Sequence, residues 1–333
     1  MKVLLICNYK PGVGGISGQV EILQRKLREE GHVAEVFSVK ASPWNRLWMM
    51  PKLLSKAQEY DVLHIHCCSN WGFLPAEMGI KAGKRLGKRI VLTYHGGGGE
   101  RFFDRNHRMV CHYLKKTDAN IVLSGVLAKV FKKHGIPFTI IPNVVELDHV
   151  RYRKRESLHP NYICVRAHEP LYNIPCILRA FKKVQSALPE ATLTLVGDGS
   201  HHQQLMSQTE TMGLRHVSYT GRVENSDIYH YLDQADVMVS SPKVDNMPVS
   251  LLEAMNAGLL VISSRVGGVP YMIDDQITGL LFESDNDEEL ASKMLWAIQN
   301  NEQTKEILMQ ANQKVCDYRW ENVRNKILSV YGQ

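Results

Sequence analysis

Short apolar runs alternate with longer amphipathic stretches along the whole chain. Runs of about four to eight Val-, Ile- and Leu-rich residues are typical of strands buried in a parallel sheet, and stretches with a 3.6-residue apolar period are typical of helices packed against one. The alternation predicts an α/β fold with two doubly wound parallel sheets. The runs that we predict to be strands are residues 3–7, 33–39, 61–66, 89–94, 119–123, 138–141, 162–165, 191–196, 216–219, 236–240, 259–263 and 278–282.

A polar, charge-rich stretch divides the chain near its middle. The 333 residues suit two domains of ordinary size. We predict a first Rossmann-like domain over residues 1–148, a linker over residues 149–160, and a second Rossmann-like domain over residues 161–315. Residues 316–333 contain a last amphipathic helix that begins near Trp320.

The net charge of +6 hides an asymmetry between the two halves. Residues 1–150 carry 22 Lys and Arg against 12 Asp and Glu (+10), whereas residues 151–333 carry 18 against 22 (−4). A basic first half favours an anionic partner, such as a charged acceptor or an anionic lipid surface. Nucleic acid ranks last, because the basic residues are scattered through amphipathic segments and form no RNA- or DNA-binding motif.

Cysteine usage and hydropathy indicate a cytoplasmic protein. The seven cysteines are odd in number and lack paired zinc spacing, so we expect reduced, mostly buried thiols. A strand begins directly after Met1, so we expect no signal peptide, and no apolar run approaches the ~20 residues of a membrane span. Residues 44–54 mix Trp, Met and basic side chains. Core packing is the favoured interpretation of that segment, and a peripheral contact with the inner face of an anionic membrane is the alternative.

The most informative stretch is residues 244–258. It follows the apolar run at residues 236–240, which predicts a loop at the carboxyl end of a parallel strand. Pro248 then suits the first turn of a helix, and residues 249–257 have helix-forming composition. The stretch is therefore predicted to be a strand–loop–helix junction.

The start of that helix is a candidate phosphate site. Free backbone N–H groups and the positive end of the helix dipole favour an anion there. Asp245 on the loop and Glu253 one turn into the helix would flank it; either carboxylate alone would more often be simply solvated. The residues that would offer their backbone to the anion are Val249, Ser250 and Leu251.

A glycine-rich loop follows the first strand. Gly12, Gly14 and Gly18 nearly fit a dinucleotide-binding fingerprint. Four residues and a proline separate the strand from the first glycine, and the second strand ends near Lys40 without the acidic residue that would bind a ribose. A nicotinamide dehydrogenase is therefore disfavoured, and a glycine turn without any ligand stays possible.

Residues 244–258 resemble the signature of retaining GT-B glycosyltransferases of the GT4 type. That signature has a glutamate, seven residues, and a second glutamate on a helix, often continuing Ala-Met-Ala-x-Gly. Glu253 matches the second glutamate and is followed by Ala-Met-Asn-Ala-Gly, while Asp245, one methylene shorter, stands for the first. The resemblance covers nearly the whole chain. It implies two facing Rossmann-like domains and a helix over residues 316–333 that crosses back onto the first domain, anchored by Trp320.

The resemblance also implies roles for residues at strand ends. In this family a Gly-Gly loop approaches the donor phosphates and the acceptor, a histidine faces the transferred sugar, an arginine holds the diphosphate, and a turn meets the nucleobase. The matching positions here are Gly14 and Gly15, His95, Arg166, and Arg222 with Val223.

A lysine that follows the arginine in the family has no counterpart in this sequence. Leu171 and Tyr172 stand in its place. Lys182, Lys183 or a side chain of the first domain could supply the second positive charge. Arg166 alone could also bind a diphosphate through its bidentate fork.

Two histidines share one face of the third predicted strand. His64 and His66 could begin a metal site, because alternate strand residues point the same way. Only Cys67 and Cys68 follow at useful spacing. We therefore interpret the pair as strand-end histidines and predict no metal ligand in the chain.

The resemblance implies a glycosyltransferase that moves a sugar from a nucleoside-diphosphate sugar to a hydroxyl of a glycan, glycolipid or other acceptor, with retention of configuration, in polysaccharide or lipopolysaccharide biosynthesis. Arg166 and the helix N-terminus would take the place of a metal, and we expect no cofactor and no metal in the donor site. Glu253 would bind the ribose. Asp245 and His95 would be the catalytic residues: Asp245 would contact the sugar near its reacting centre and offset its oxocarbenium-like charge, and His95 would contact the sugar from the other domain and help to stabilise that charge. The alternatives are a nucleotide-sugar epimerase of the same form and a non-catalytic nucleotide-sugar binding protein.

Overall fold

The described residues form two compact units. The computed structural model describes residues 1–10, 15–39, 45–145, 151–224 and 227–333, with the backbone alone for residues 45–47. One unit comprises Met1–Glu146 and Tyr318–Gln333, and the other comprises Leu147–Asp317. Each unit contains its own parallel sheet and its own hydrophobic core.

The first unit is built on a six-stranded parallel sheet. Its strands are β1 Lys2–Cys7, β2 Val33–Ser38, β3 Val62–Cys67, β4 Arg89–Tyr94, β5 Ala119–Val122 and β6 Thr139–Ile140. Their order across the sheet is β2-β1-β3-β4-β5-β6, and every pair is parallel. The helices that connect them are α1 Gly15–Glu29, α2 Asn45–Ala57, α3 Leu74–Leu86, α4 Gly99–Arg105, α5 His107–Leu114 and α6 Gly125–Lys133.

The second unit repeats this architecture. Its strands are β7 Asn161–Val165, β8 Thr192–Val196, β9 Val217–Gly221, β10 Val237–Ser240, β11 Leu260–Ser264 and β12 Leu280–Phe282. Their order is β12-β11-β10-β7-β8-β9, again all parallel. Its helices are α7 Ile174–Ala187, α8 His202–Thr211, α9 Ile228–Gln234, α10 Val249–Asn256, α11 Asp287–Gln299 and α12 Asn301–Val315.

The central strands are continuous apolar runs because helices cover both faces of each sheet. All six residues of β3 are buried, as are all four of β10 and all five of β11. A parallel sheet covered on both sides has no solvent-facing strand positions in its centre, which removes the polar–apolar alternation of a half-exposed sheet. The sequence pattern of short solid apolar runs follows from this burial.

The last helix, α13 (Trp320–Tyr331), packs on the sheet of the first unit. The guanidinium Nε of Arg89 donates a hydrogen bond of 2.9 Å to the carbonyl of Val330. The apolar face of the helix joins a buried cluster that also contains residues of β1, β3 and β4. Its buried members are Trp320, Val323, Ile327, Val330 and Tyr331.

The prediction of two parallel α/β sheets is confirmed, with small differences at strand ends. The sixth predicted strand is shortened to two residues, and Pro137 and Pro142 lie close on either side of it and offer no N–H to a sheet. The strand predicted from residue 216 begins at Val217, because His216 adopts a left-handed φ of 55°. All seven cysteines lie in the described residues; none of them forms a disulfide bond, and four are buried.

Among the described residues, no helix combines the length and the apolar character needed to cross a bilayer.

Candidate active site

The strand order of the second unit reverses between β7 and β10. In doubly wound sheets, ligands bind outside the carboxyl ends of the strands at such a switch point. Arg166 directly follows β7, and the loop that carries Asp245 follows β10. Because these two strands are neighbours in the sheet, their carboxyl ends bring the two residues together.

The guanidinium of Arg166 is held by three groups. Its Nη2 lies 3.0 Å from Oδ2 of Asp245, and its Nε donates a hydrogen bond of 3.2 Å to Oγ of Ser240. The ring of Tyr172 lies beneath it, with the guanidinium carbon 5.2 Å from the ring centroid. A planar cation stacked on an aromatic ring and paired with a carboxylate is fixed in direction before any ligand arrives.

Asp245 is a partner of Arg166 rather than a separate solvated carboxylate. Its Oδ1 accepts a hydrogen bond of 2.8 Å from the N–H of Asn246. Oδ2 of Asp245 and Nη2 of Arg166 are both buried and lie 3.0 Å apart. Within the described part of the chain, neither atom makes a well-aligned hydrogen bond. The pair is therefore held by electrostatic attraction. Because it uses no aligned hydrogen bond, an N–H of Arg166 can still donate a hydrogen bond to an anion.

Two glycines fix the backbone of the loop that carries Asp245. The N–H of Gly268 donates a hydrogen bond of 3.1 Å to the carbonyl of Asp245. A Cβ on Gly267 would lie 1.8 Å from that carbonyl oxygen, and one on Gly268 would lie 1.7 Å from the carbonyl oxygen of Asn246. Gly267 also has a φ of +51°. Only glycine permits this approach of the two loops.

The N-terminus of α10 offers polar groups beside the Arg166–Asp245 pair. Pro248 precedes the helix, and no side chain caps its first turn. Oγ of Ser250 is buried without a hydrogen-bond partner among the described residues. Leu251 is fully buried and its N–H donates to the carbonyl of Pro248 at 3.2 Å, so Val249 and Ser250 are the better anion-binding positions.

Glu253 lies one turn further along α10 in a largely buried environment. Burial raises the pKa of its carboxyl to about 7, and the positive charge of Arg166 opposes that rise. A carboxyl with such a pKa exchanges its proton near neutral pH. Perturbed acids of this kind are enriched at functional sites.

Four other residues are predicted from the sequence to bind the donor. Arg222 and Val223 follow β9, the edge strand, which β8 separates from β7. Gly14 lies outside the described residues. Gly15 begins α1 in the first unit, where a Cβ would meet no atom within 4 Å.

His95 follows β4 of the first unit and contacts a second histidine. Its Nε2 lies 3.0 Å from Nδ1 of His66, and the two rings stack with centroids 5.2 Å apart. Burial lowers the pKa of His95 to about 4. The imidazole is therefore neutral at neutral pH, so it can form hydrogen bonds to a sugar but carries no positive charge. Its contact with a sugar stays a prediction.

The two histidines of β3 are buried on one side of the strand, with ring centroids 4.2 Å apart. Nδ1 of His64 lies 2.7 Å from the hydroxyl of Tyr331, and its Nε2 lies 2.8 Å from Oγ1 of Thr93. Burial lowers the pKa of His64 to about 3. His64 is thus a neutral residue that ties α13 to the sheet.

Two family models match consecutive parts of the chain. The model described as Glycosyltransferase Family 4 matches residues 19–149, and the model described as Glycosyl transferases group 1 matches residues 153–314. Together they span most of both units.

The chain belongs to the GT4-like glycosyltransferases.

Full-length relatives agree with this assignment. The phosphatidyl-myo-inositol mannosyltransferase of Mycobacterium leprae is 23% identical over 373 residues, covering 99% of this chain and 96% of the relative. The N-acetyl-alpha-D-glucosaminyl L-malate synthase of Bacillus anthracis is 26% identical over 379 residues, covering 99% and 97%. The protein is accordingly a glycosyltransferase of the GT-B type.

The fold of this GT4-like glycosyltransferase matches that of Anabaena Alr3699/HepE, a structure solved in complex with UDP. The TM-score is 0.81 at 18% identity, and the match covers 99% of each chain. At that identity the likeness concerns the fold, which is GT-B.

The position of the missing family lysine is occupied by the aromatic ring that supports Arg166. Lys183 is one of the replacements considered from the sequence. Its ammonium lies 2.8 Å from a carboxylate oxygen of Asp287 and also pairs with Glu288, so its charge is already neutralised by these two carboxylates. Lys243 packs its backbone against the loop that carries this aromatic ring. Its N–H donates a hydrogen bond of 2.9 Å to the carbonyl of Leu171, and the residue is exposed.

Proposed function

We propose that this GT4-like enzyme transfers a sugar from a nucleoside-diphosphate sugar to a hydroxyl of a glycan or lipid-linked acceptor, with retention and without a metal in the donor site. One observation carries the proposal. The guanidinium of Arg166 and the uncapped start of α10 lie at the switch point of the second sheet, with Glu253 one turn along the same helix.

The diphosphate would bind where these positive groups converge. Arg166 offers a fixed fork, and the backbone at Val249 and Ser250 offers N–H groups at the positive end of a helix dipole. The buried Oγ of Ser250 can donate a further hydrogen bond. When the sugar leaves, negative charge grows on the diphosphate, and groups already oriented toward it stabilise that charge without reorganising. We infer that they do the work a metal does in other transferases.

Glu253 would accept hydrogen bonds from the ribose hydroxyls of the donor. Its pKa of about 7 means that the empty site holds a substantial fraction of protonated carboxyl at neutral pH. Two hydroxyl donors favour the carboxylate, so donor binding would lower that pKa. Asp245 would keep Arg166 in place and present a negative charge toward the sugar ring, which becomes positive as the bond to the leaving group breaks.

The donor nucleotide and the acceptor follow by analogy. The structurally similar Anabaena protein was solved with UDP, and one relative is named for a lipid that accepts mannose. We therefore propose UDP as the first nucleotide to test, ahead of GDP and ADP, and a hydroxyl of a glycan or lipid as the acceptor.

The test is a calorimetric titration of UDP, GDP and ADP into the wild-type enzyme and an Arg166→Ala variant. We expect one nucleotide to bind the wild type. The variant should bind it about 10- to 150-fold more weakly, because a charge-assisted hydrogen bond contributes about 1.5–3 kcal/mol. Arg215→Ala, which removes an exposed arginine after α8, is the matched control and should bind as the wild type does. Equal binding by Arg166→Ala, or no binding of any of the three nucleotides, would contradict the proposal.

Turnover separates this function from its alternatives. With the matching sugar donor, a transferase releases nucleoside diphosphate in proportion to a glycosylated acceptor. An epimerase would instead convert the donor alone into an epimer, and a binding protein would release nothing. The anomeric coupling of the product by NMR tests retention, and equal rates with and without added Mg²⁺ or Mn²⁺ test metal independence.

A further inference from the structure

Three side chains of types that ligate metals meet in the first unit. His107 and Cys111 stand four residues apart on α5, and His134 ends α6. One ligand atom from each lies within 4.8 Å of the other two. The sequence prediction of no metal ligand overlooked them because 23 positions separate Cys111 from His134, a spacing typical of no zinc motif.

The His107–Cys111 and His107–His134 distances suit a tetrahedral centre with small adjustment. Sγ of Cys111 lies 3.6 Å from Nδ1 of His107, close to the roughly 3.5 Å that a shared tetrahedral zinc imposes on a sulfur and a nitrogen ligand. Nδ1 of His107 and Nδ1 of His134 are 2.7 Å apart. Two nitrogen ligands of one zinc stand about 3.3 Å apart, so the rings would separate by roughly half an ångström.

A carboxylate already orients the most buried of the three ligands. Nε2 of His134 lies 3.1 Å from Oδ1 of Asp104 on α4. Lys133 binds the other oxygen of Asp104 at 2.9 Å. Asp104 accepts a hydrogen bond from the Nε2–H of His134, which leaves the ring's lone pair on Nδ1, the atom that faces His107. A histidine held by a carboxylate through its outer nitrogen is the usual second sphere of zinc sites.

The burial of the ligands is graded. His134 is buried against the ring of Phe103, Cys111 is half-buried, and His107 is exposed. The cluster is thus anchored on the core side and open to solvent on the other, which leaves room for a water as fourth ligand. One thiolate and two imidazoles are a borderline-soft set that prefers Zn²⁺ to Mg²⁺ or Ca²⁺.

We propose that His107, Cys111 and His134 bind one Zn²⁺ ion, with water in the fourth position and Asp104 as the second-sphere partner of His134. Binding forms one Zn–S and two Zn–N bonds, and the thiol of Cys111 releases its proton to solvent. The ion would clamp α5 to the end of α6, with α4 linked through Asp104.

The test is a titration of the chelator-treated full-length protein with Co²⁺, a spectroscopic substitute for zinc. We expect the intense d–d bands of tetrahedral cobalt and a sulfur-to-cobalt charge-transfer band that saturate at one equivalent and disappear when Zn²⁺ is added. Cys111→Ser should lose the charge-transfer band. Cys316→Ser, which alters an exposed cysteine of the other unit, should keep it.

Two further variants guard against loss of folding as the explanation. His107→Gln changes an exposed side chain, so the circular dichroism spectrum should stay unchanged while cobalt binding weakens at least tenfold. Asp104→Asn should reduce zinc affinity about 10- to 100-fold, the range for second-sphere partners of metal-bound histidines. The absence of a charge-transfer band in the wild type, or its persistence in Cys111→Ser, would overturn the proposal.

Discussion

At the scale of single residues, burial decides the properties of the candidate site more than residue type does. Glu253 and Asp245 are both carboxylates in the same strand–loop–helix junction. Burial raises the pKa of Glu253 to about 7, whereas Asp245 is bound to a guanidinium. Glu253 therefore titrates near neutral pH, whereas the side chain of Asp245 is held in position by Arg166.

The pKa of Glu253 predicts how stability depends on pH. The folded state binds the proton of the Glu253 carboxyl more tightly than the unfolded chain does. The resulting contribution to the free energy of unfolding is therefore complete below about pH 4 and is lost as pH rises through about 7. Between pH 5.5 and pH 8 the ligand-free wild type should lose about 2 kcal/mol of unfolding free energy relative to Glu253→Gln, which cannot titrate.

Urea unfolding of both proteins at the two pH values measures this difference. Glu306→Gln, an exposed glutamate on α12, serves as the control and should follow the wild type. If the wild type and Glu253→Gln show the same pH dependence, the carboxyl is not buried as described.

The sequence could predict which residues would stand at the site but not how they pair. The spacing of the signature placed Asp245 and Glu253 on either side of a helix start. Nothing in that spacing joins Arg166 to Asp245, because 79 positions separate them and only the adjacency of β7 and β10 brings them together. The role of Tyr172 was hidden for the same reason: stacking under Arg166 depends on the path of a loop that has no periodicity.

At the scale of elements, the loop after β10 depends on the loop after β11. Gly267 and Gly268 lie against the backbone of Asp245 and Asn246, so the two loops form one packed layer at the carboxyl edge of the sheet. The ends of β7 and β8 are joined in a similar way. A Cβ on Gly197, whose φ is +137°, would lie 2.1 Å from the carbonyl oxygen of Arg166.

A methyl group at position 267 should therefore disturb the site. Gly267→Ala forces a left-handed conformation and a clash 1.8 Å from the carbonyl oxygen of Asp245. We expect the free energy of unfolding to fall by about 3 kcal/mol or more, and turnover to fall at temperatures where the variant is still folded. Gly213→Ala is the matched control. Its φ is +67° and no atom lies within 4 Å, so it should cost only the strain, about 1 kcal/mol.

Thermal melts and initial rates of the two variants check this expectation. The informative quantity is the difference between them, because both variants carry the left-handed strain and only one carries the clash. Equal losses of stability with unchanged turnover in both would show that the loop after β11 does not support Asp245.

At the scale of the whole molecule, the strands and the last helix were predictable from the sequence pattern, but the surface on which that helix packs was not. Short apolar runs bounded by turn residues are typical of buried parallel strands, and such runs predicted the twelve strands with small errors at their ends. The pattern of an amphipathic helix indicates that one face of the helix is buried, but not which part of the chain buries it. The first unit covers the face of α13 with residues from the opposite end of the chain, and only the family resemblance indicated this.

The contacts of α13 make it a structural part of the first unit. Trp320 is 6% exposed, and its indole N–H donates a hydrogen bond of 2.8 Å to Oε1 of Glu30. The hydroxyl of Tyr331 lies 2.7 Å from Nδ1 of His64 on the central strand β3. Both ends of the helix are thus tied to the unit by polar contacts beside its buried apolar face.

Trp320→Ala should therefore destabilise the first unit by about 3–5 kcal/mol, the usual cost of deleting a buried tryptophan side chain. Hydrogen exchange measured by mass spectrometry should show faster exchange in β1, β3 and β4. Strands β7 and β8 are the internal reference, because the apolar core of the second unit contains no residue of α13. Trp48→Ala, which removes a tryptophan that is 78% exposed, should change neither set of strands. Unchanged exchange of β1, β3 and β4 in Trp320→Ala would mean that the sheet is stable without α13, and that the helix is an appendage rather than part of the first unit's core.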